Sequence, residues 1–291
     1  MAKRSRKDRK DGRYIKTLIP LIKMMSFIMP ERSDACNFFQ DSIEVSHAQQ
    51  FILQKRSEGL ERLGLLHLMI ASYVRAISQV PALNRFVSGR RVYARNNIEY
   101  VMIVKKGMRQ ESPETPIKVI FDPADTITEV YNKIEAAIDS VKGEDSAENS
   151  TDKLAATFMK LPRWLIASAV AILKRLDYHG IMPQAVADAS PFHGSFILTS
   201  MASLGIKPIY HHIYNFGNLP VFLSFGAKRH EYELQRDGSV VDRNYIDLAV
   251  VTDERICDGF TYAKGFKLIK KFMKEPELLD SPPEKVYKDI E

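Results

Sequence analysis

The stretch LAVVTDERICDGF, from Leu248 to Phe260, places an apolar run rich in β-branched residues before a polar segment that contains Asp258-Gly259. Such a run predicts a buried β-strand, and the Asp-Gly pair predicts a turn where the strand ends. Loops that follow a rigid strand often carry catalytic residues. The stretch therefore predicts a strand of the fold and, at its end, a candidate functional site.

Outward from this stretch, hydrophobic periodicity predicts alternating strands and helices. Strands are predicted at 195–201, 220–234 and 244–252, and RRVYARNNIEYVMIVKKG (90–107) predicts two strands joined in a hairpin at Asn96-Asn97. The predicted helices are a short one before Pro30, one capped by Ser46, a long one over 59–80, an amphipathic one over 127–142, a pair over 153–160 and 162–176, and a closing one over 262–274. This alternation favours one α/β domain.

Charge is concentrated at the two ends of the chain. Residues 1–13 hold seven Lys/Arg and two Asp, and so account for +5 of the net charge of +6. We expect residues 1–14 to form a basic disordered tail, residues 15–275 to form the domain, and residues 276–291 to form an acidic tail, disordered or draped over the body. Residues 153–192 are predicted to be an inserted helical hairpin within the domain.

Composition excludes several classes of protein. The longest apolar run, WLIASAVAIL (164–173), has ten residues, whereas a membrane-spanning helix needs about 20. No secretory signal follows the basic N-terminus, and two cysteines are too few for a disulfide framework, so a cytoplasmic location is expected. The body of the chain is nearly neutral and has no nucleic-acid-binding motif, so no nucleic-acid partner is expected.

Four features in the same order resemble a known family. VPALNRFV (80–87) follows a long helix, an amphipathic helix covers 127–142, GSFILTSM (194–201) forms a strand, and VVTDERICDGF (250–260) follows a later strand. Together they resemble the coenzyme A-dependent acyltransferases, namely the chloramphenicol acetyltransferases and the catalytic domains of 2-oxoacid dehydrogenase acyltransferases. The resemblance covers roughly residues 20–275.

The resemblance implies a two-layer α/β sandwich, with a mixed sheet covered by helices, assembled as a homotrimer with active sites between subunits. It implies transfer of an acyl group from acyl-coenzyme A to a thiol or hydroxyl acceptor of a small molecule. Thr199, contributed by the neighbouring subunit, would donate a hydrogen bond to the oxyanion. Asp258 would anchor the catalytic loop through a basic partner, and Gly259 would be the turn glycine. The basic tail is too short for a lipoyl domain, so a stand-alone protein is expected.

The family's catalytic histidine is replaced in this sequence by Glu254. A histidine suits a general base at neutral pH, whereas a carboxylate becomes a comparable base only when it is desolvated. YHHIYNFG (210–217) offers His211 and His212 as a relocated base or, alternatively, as a polar turn or interface pair. His193 is a second candidate, with a hydrogen-bonded loop residue as its alternative.

Two functions therefore remain open from the sequence: an acyltransferase with altered catalysis, and a non-catalytic trimeric binding or scaffold protein of the same fold. The histidine pair lacks a third ligand at zinc-like spacing, so no metal site is expected. Cys257 is expected to fill space beneath the turn. The apolar helix at 162–176 is either buried against the domain or bound to a membrane surface together with the basic tail.

Overall fold

A computed structural model describes residues 7–105, 114–142 and 159–291 of the chain. The described residues form ten strands and seven α-helices. The strands are β1 (Gly12–Tyr14), β2 (Cys36–Glu44), β3 (Arg85–Ser88), β4 (Arg91–Arg95), β5 (Ile98–Lys105), β6 (Glu114–Phe121), β7 (Phe196–Ser200), β8 (Val221–Phe225), β9 (Arg229–Leu234) and β10 (Val240–Asp253). The helices are α1 (Pro20–Ile28), α2 (Ser46–Ser57), α3 (Leu65–Gln79), α4 (Ile127–Lys142), α5 (Arg163–Tyr178), α6 (Gln184–Ala189) and α7 (Gly259–Lys274).

The main sheet has seven strands. Six of them lie in the order β2-β10-β8-β7-β5-β6, and the seventh, β9, pairs with the first part of β10. The sheet is mixed, because β7 runs parallel to both β5 and β8 while the other pairs are antiparallel. The quoted stretch begins within β10, whose residues 248–253 are all buried. A continuous apolar run is expected of a strand covered on both faces. The predicted mixed α/β sheet is confirmed.

Helices cover one face of this sheet. α3 is almost entirely buried and packs between α4 and α7, with side chains from alternate strand positions beneath it. On β7, Phe196 and Leu198 face these helices, whereas Ile197 belongs to a small separate cluster with Val101, Leu219 and Phe222. Since strand side chains alternate between faces, Thr199 lies on the same face as Ile197, opposite the helices.

The Asn96-Asn97 hairpin prediction is wrong, although both strands exist. β4 pairs with β1 and β3 in a separate three-stranded sheet, whereas β5 pairs with β6 and β7 in the main sheet. The chain therefore changes sheets at this turn. The reason is that β5 finds its partners in later segments rather than in the strand just before it.

The ends of the chain are more ordered than the sequence predicts. Residues 1–6 lie outside the described residues, but β1 pairs with β4, and Arg9 forms ion pairs with Asp11 and Asp177. A disordered tail is therefore wrong for residues 7–14. The acidic segment after Pro276 lies against the body of the chain, which is one of the two alternatives expected for it, because Asp289 forms a buried ion pair with Arg85. The predicted helix at 153–160 lies largely outside the described residues.

Candidate functional site

The loop after β10 is held by a buried ion pair. Both carboxylate oxygens of Asp253 accept hydrogen bonds from Arg255, at 2.8 Å from Nε to Oδ1 and 2.7 Å from Nη2 to Oδ2. Arg255 also donates to the carbonyl of Met29 at 3.0 Å, and the Nε of Arg32 lies 3.6 Å from Asp253. All three charged side chains are buried. The loop therefore keeps its shape through charge-assisted hydrogen bonds beneath the surface.

Glu254, at the position of the family's histidine, is exposed to solvent. Its backbone N–H donates to the carbonyl of Ala35 at 2.8 Å. Within residues 7–105, 114–142 and 159–291, its carboxylate has no hydrogen-bond or ion-pair partner. The chain does not provide the burial that a carboxylate base requires. The neighbouring Arg255 pairs with Asp253 and not with Glu254.

Asp258 and Gly259 begin the closing helix. The Oδ1 of Asp258 accepts a hydrogen bond from the N–H of Thr261 at 2.8 Å, so Asp258 is the N-cap of α7. Hydrogen bonds from Thr261 lower the pKa of Asp258. The expected basic partner does not bond Asp258 directly among the described residues: Arg85 donates to the carbonyl of Ile256 in the same loop at 3.2 Å and forms its ion pair with Asp289. A side chain at position 259 would meet open space, so nothing in the described chain requires glycine there.

Thr199 and His211 meet on the sheet face opposite the helices. The Oγ1 of Thr199 lies 3.3 Å from the Nε2 of His211. The imidazole ring stacks on Phe222, with ring centroids 4.2 Å apart and planes 9° from parallel. Partial burial, and then the charge of His212, lower the pKa of His211. At neutral pH His211 is therefore a neutral imidazole with one nitrogen able to accept a proton.

An irregular segment, residues 206–214, carries His211 across this face of the sheet. The Oγ of Ser224 donates to the carbonyl of Ile209 at 2.6 Å, and Tyr210 packs edge-on against Phe38 of β2. Gly226 allows the segment to lie close, because a Cβ there would stand 2.6 Å from the Cδ of Pro208. These contacts fix the position of the irregular segment, and with it His211, relative to Thr199.

The other candidate side chains lie apart from this pair. His212 is exposed, and its ring packs edge-on against Tyr214. His193 is buried, with Nδ1 2.8 Å from the Oγ of Ser190 and Nε2 3.7 Å from Asp177. Burial lowers the pKa of His193, although Asp177 opposes this shift. His193 is therefore a hydrogen-bonded residue of the interior.

Cys257 is buried beneath the turn, as expected. Burial raises the pKa of its thiol to about 12. A thiol with this pKa is protonated at neutral pH and is a poor nucleophile. Among the residues that the structure describes, no group of three or more His, Cys, Asp and Glu side chains could hold a metal ion.

The comparisons with known proteins concern the fold. No family model and no curated protein sequence matches the chain. Solved structures do match. A chloramphenicol acetyltransferase superposes with a TM-score of 0.58 at 15% identity, over 90% of this chain and 100% of that chain. The chain has the chloramphenicol acetyltransferase-like fold.

Two further structures support this fold. A probable dihydrolipoamide acetyltransferase from Listeria monocytogenes matches with a TM-score of 0.57 at 14% identity, over 89% of this chain and 95% of that chain. The cubic core of a pyruvate dehydrogenase multienzyme complex matches with a TM-score of 0.53 at 10% identity, over 91% of this chain and 93% of that chain. The recognised resemblance to acyltransferases is thus confirmed at the level of the fold.

The chloramphenicol acetyltransferase-like fold of this chain brings together only part of the predicted site. Thr199 and His211 are adjacent, whereas Glu254, Asp258 and Gly259 share no hydrogen bond with them in the described chain. Sequence reasoning did not identify Asp253 and Arg255 as the pair that holds the loop. The sequence signal for this pair is that two oppositely charged residues stand two positions apart where the strand ends.

Proposed function

We propose that the chain transfers an acyl group from acyl-coenzyme A to a thiol or hydroxyl acceptor, with His211 as the general base. The observation that carries this proposal is the 3.3 Å approach of His211 Nε2 to the hydroxyl of Thr199. Both residues belong to one protomer. The likeness of the fold to acetyltransferases supports acyl transfer as the class of reaction.

The chemistry needs a base that is neutral at physiological pH. His211 meets this condition, because its pKa lies below the ordinary value of about 6.5. Nε2 would take the proton of the acceptor as its sulfur or oxygen attacks the thioester carbonyl. The tetrahedral oxyanion would accept a hydrogen bond from Thr199. As the C–S bond breaks, the imidazolium would return the proton to the departing coenzyme A thiolate.

The charge around His211 also favours this assignment over Glu254. Its ring lies on Phe222 and beside the neutral hydroxyl of Thr199. A carboxylate base would place a negative charge close to a forming thiolate, which opposes ionisation of the thiol. A stacked neutral imidazole carries no such penalty. Since the hydrogen bond to Thr199 is long, an acceptor can replace the hydroxyl at Nε2 at little cost.

The test measures release of the coenzyme A thiol from acetyl-coenzyme A with panels of thiol and hydroxyl acceptors. We expect His211→Gln to lower the rate by about 100-fold or more, which is the usual contribution of a general base. Thr199→Val keeps the shape of the side chain and should lower the rate through loss of the hydroxyl. His212→Gln is the matched control and should change the rate less than about twofold.

Glu254→Gln separates the two candidate bases. Activity that survives Glu254→Gln and disappears in His211→Gln supports the proposal. The opposite pattern would overturn it and assign the base to Glu254.

A non-catalytic trimeric binding protein of the same fold is the second candidate function. It is favoured by the exposed carboxylate of Glu254, which has no side-chain partner among the described residues and which the resemblance places at the position of the catalytic histidine. A calorimetric titration with acetyl-coenzyme A distinguishes the two. Absence of binding at millimolar concentration would exclude the acyltransferase, whereas binding without turnover in any acceptor panel would favour the binding protein.

The homotrimer implied by the resemblance is part of this proposal. The cubic dehydrogenase core among the similar structures is an oligomer, which supports self-association of this fold. Light scattering should give three times the 33.2 kDa of one chain. A monomer would remove the subunit interface from the proposed site but would leave the Thr199–His211 pair intact.

A further inference from the structure

α1 carries most of its large apolar side chains on the outside of the molecule. Its single buried residue is Ser26, and Ile22 packs partly against the core. Five large apolar residues on and beside it are between 53 and 61% exposed, namely Ile19, Leu21, Met24, Phe27 and Ile28. A helix packed on a core shows the opposite arrangement. This surface therefore calls for a partner that covers it.

α5 repeats this arrangement. Its single buried residue is Asp177. The helix is therefore not buried against the domain, which contradicts one of the two alternatives that the sequence left open. Trp164 is 70% exposed, and Ile172 is 59% exposed. Met159 and Leu161 extend the exposed apolar surface before the helix begins.

The C-terminal ends of the two helices lie beside the same cavity. A cavity of about 230 Å³ is lined by Ser26 and Pro30 at the end of α1 and by Lys174 and Tyr178 of α5. The turn between β3 and β4 lies between the helices, where the guanidinium of Arg90 stands 5.3 Å from the centre of the Phe27 ring. We call residues 16–30, 90–91 and 159–176 the cationic apolar face.

The charge of this face is mainly positive. Its residues include eight Lys/Arg and no Asp/Glu. Two acidic residues border it: Glu31 lines the cavity beside Pro30, and the carbonyl of the C-terminal Glu291 accepts a hydrogen bond from the N–H of Thr17. The nearest acidic side chain of α5, Asp177, is buried and neutralised by Arg9. Protruding apolar side chains with cations around them are the composition of helices that lie in the surface of a membrane with anionic lipid.

We propose that the cationic apolar face docks on the surface of an anionic phospholipid membrane. The side chains of Phe27, Trp164 and Ile172 would enter the boundary between headgroups and acyl chains. The Lys and Arg side chains would contact lipid phosphates. Binding is peripheral, since no helix among the described residues is long and apolar enough to cross a bilayer.

A second copy of the same face is a poorer partner, because eight cations on each side would repel one another, whereas an anionic bilayer neutralises them. A threefold assembly would pair this face with a different face of the neighbouring subunit, and the oligomer outcome of the test below distinguishes that case. The apolar side chains also protrude from two helices rather than line a groove, so they fit a deformable lipid surface better than a rigid protein surface. The proposal is independent of acyl transfer, because neither Thr199 nor His211 belongs to this face.

Trp164 is the only tryptophan of the chain and therefore reports on this face alone. With vesicles of about 30 mol% phosphatidylserine in phosphatidylcholine, we expect its emission to shift to shorter wavelength and to be quenched by brominated acyl chains. Phosphatidylcholine vesicles should give a much weaker response. Raising the salt concentration to about 0.5 M should weaken binding to the anionic vesicles, because screening shortens the range of the attraction.

Flotation with variants tests the two contributions separately. Replacing Lys160, Arg163, Lys174 and Arg175 together by Gln should lower partitioning at least about tenfold, since each cation near an anionic surface contributes. Trp164→Ser should lower it about tenfold through the lost apolar contact. The matched control is Leu234→Ser, at a 76% exposed position on β9 outside the face, which should not change partitioning.

Two outcomes would overturn the proposal. One is the absence of quenching by brominated lipid in anionic vesicles. The other is that the emission of Trp164 is already at short wavelength without lipid and that an oligomer of the protein dissociates when Trp164→Ser is introduced. The face would then be a subunit interface.

Discussion

Replacing Asp253 by Asn removes the negative charge that holds the loop after β10. Asp253 is fully buried, and it accepts hydrogen bonds from Arg255 at 2.8 and 2.7 Å with Arg32 at 3.6 Å. The substitution leaves two buried guanidinium groups without their counter-ion. Breaking a buried ion pair by removing one partner costs about 3–5 kcal/mol of unfolding free energy. At about 2–4 °C per kcal/mol, Tm should fall by about 6–20 °C.

Thermal and urea unfolding of Asp253→Asn should be compared with Glu254→Gln. The two variants remove one negative charge from adjacent positions, so they have the same net charge. Glu254 is exposed and without a side-chain partner among the described residues, so its substitution should change stability by less than about 0.5 kcal/mol. The difference between the variants therefore measures burial and pairing at position 253.

A double substitution keeps the prediction testable if Asp253→Asn does not fold. Asp253→Val with Arg255→Leu removes the closer pair together, and replacing a buried pair by apolar residues is often close to neutral. Arg32 still loses its counter-ion in this variant. We therefore expect partial recovery of the stability lost by Asp253→Asn. If Asp253→Asn melts within about 2 °C of Glu254→Gln, the ion pair does not hold the loop and this reasoning is wrong.

Two further predictions concern the segment that carries His211. The pH profile of kcat/KM should fall as pH drops through the pKa of His211, below about 6.5, because the protonated ring cannot accept a proton; a profile that already falls above pH 7 would contradict His211 as the base. Gly226→Ala should lower both stability and activity, because its Cβ would stand 2.6 Å from Pro208, whereas Gly259→Ala meets open space and should leave Tm within about 2 °C. Equal melting temperatures for the two glycine variants would contradict the close approach at Gly226.

Much of the fold could be predicted because its signals are local. The apolar run in β10 predicts a buried strand, and the amphipathic pattern over 127–142 matches α4, with Ile127, Val130 and Ile134 buried. The separation of β4 from β5 could not be predicted in this way. Two strands joined by a short turn resemble a hairpin in sequence. Their membership of different sheets depends on the pairing of β5 with β7, about a hundred residues later.

Individual residues of the candidate site could be predicted from the sequence, but their positions relative to one another could not. Thr199 follows from its place in a strand, and His211 follows from its motif. Their contact depends on residues 206–214, which have no periodic pattern and are positioned by long-range contacts. The hydrogen bond from Ser224 to Ile209 and the close approach at Gly226 fix that path. Neither contact leaves a signal in the local sequence.

The loop after β10 explains how this fold can keep its shape without the family's histidine. At position 254 the structure uses only the backbone N–H, which donates to Ala35, while the side chain points into solvent. The shape of the loop depends instead on the neighbours, Asp253 and Arg255, which are buried and paired. Substitution at position 254 therefore costs the fold little. The proposed acyl transfer would then need a proton acceptor on another element. His211 on residues 206–214 is a neutral imidazole already beside the hydroxyl of Thr199.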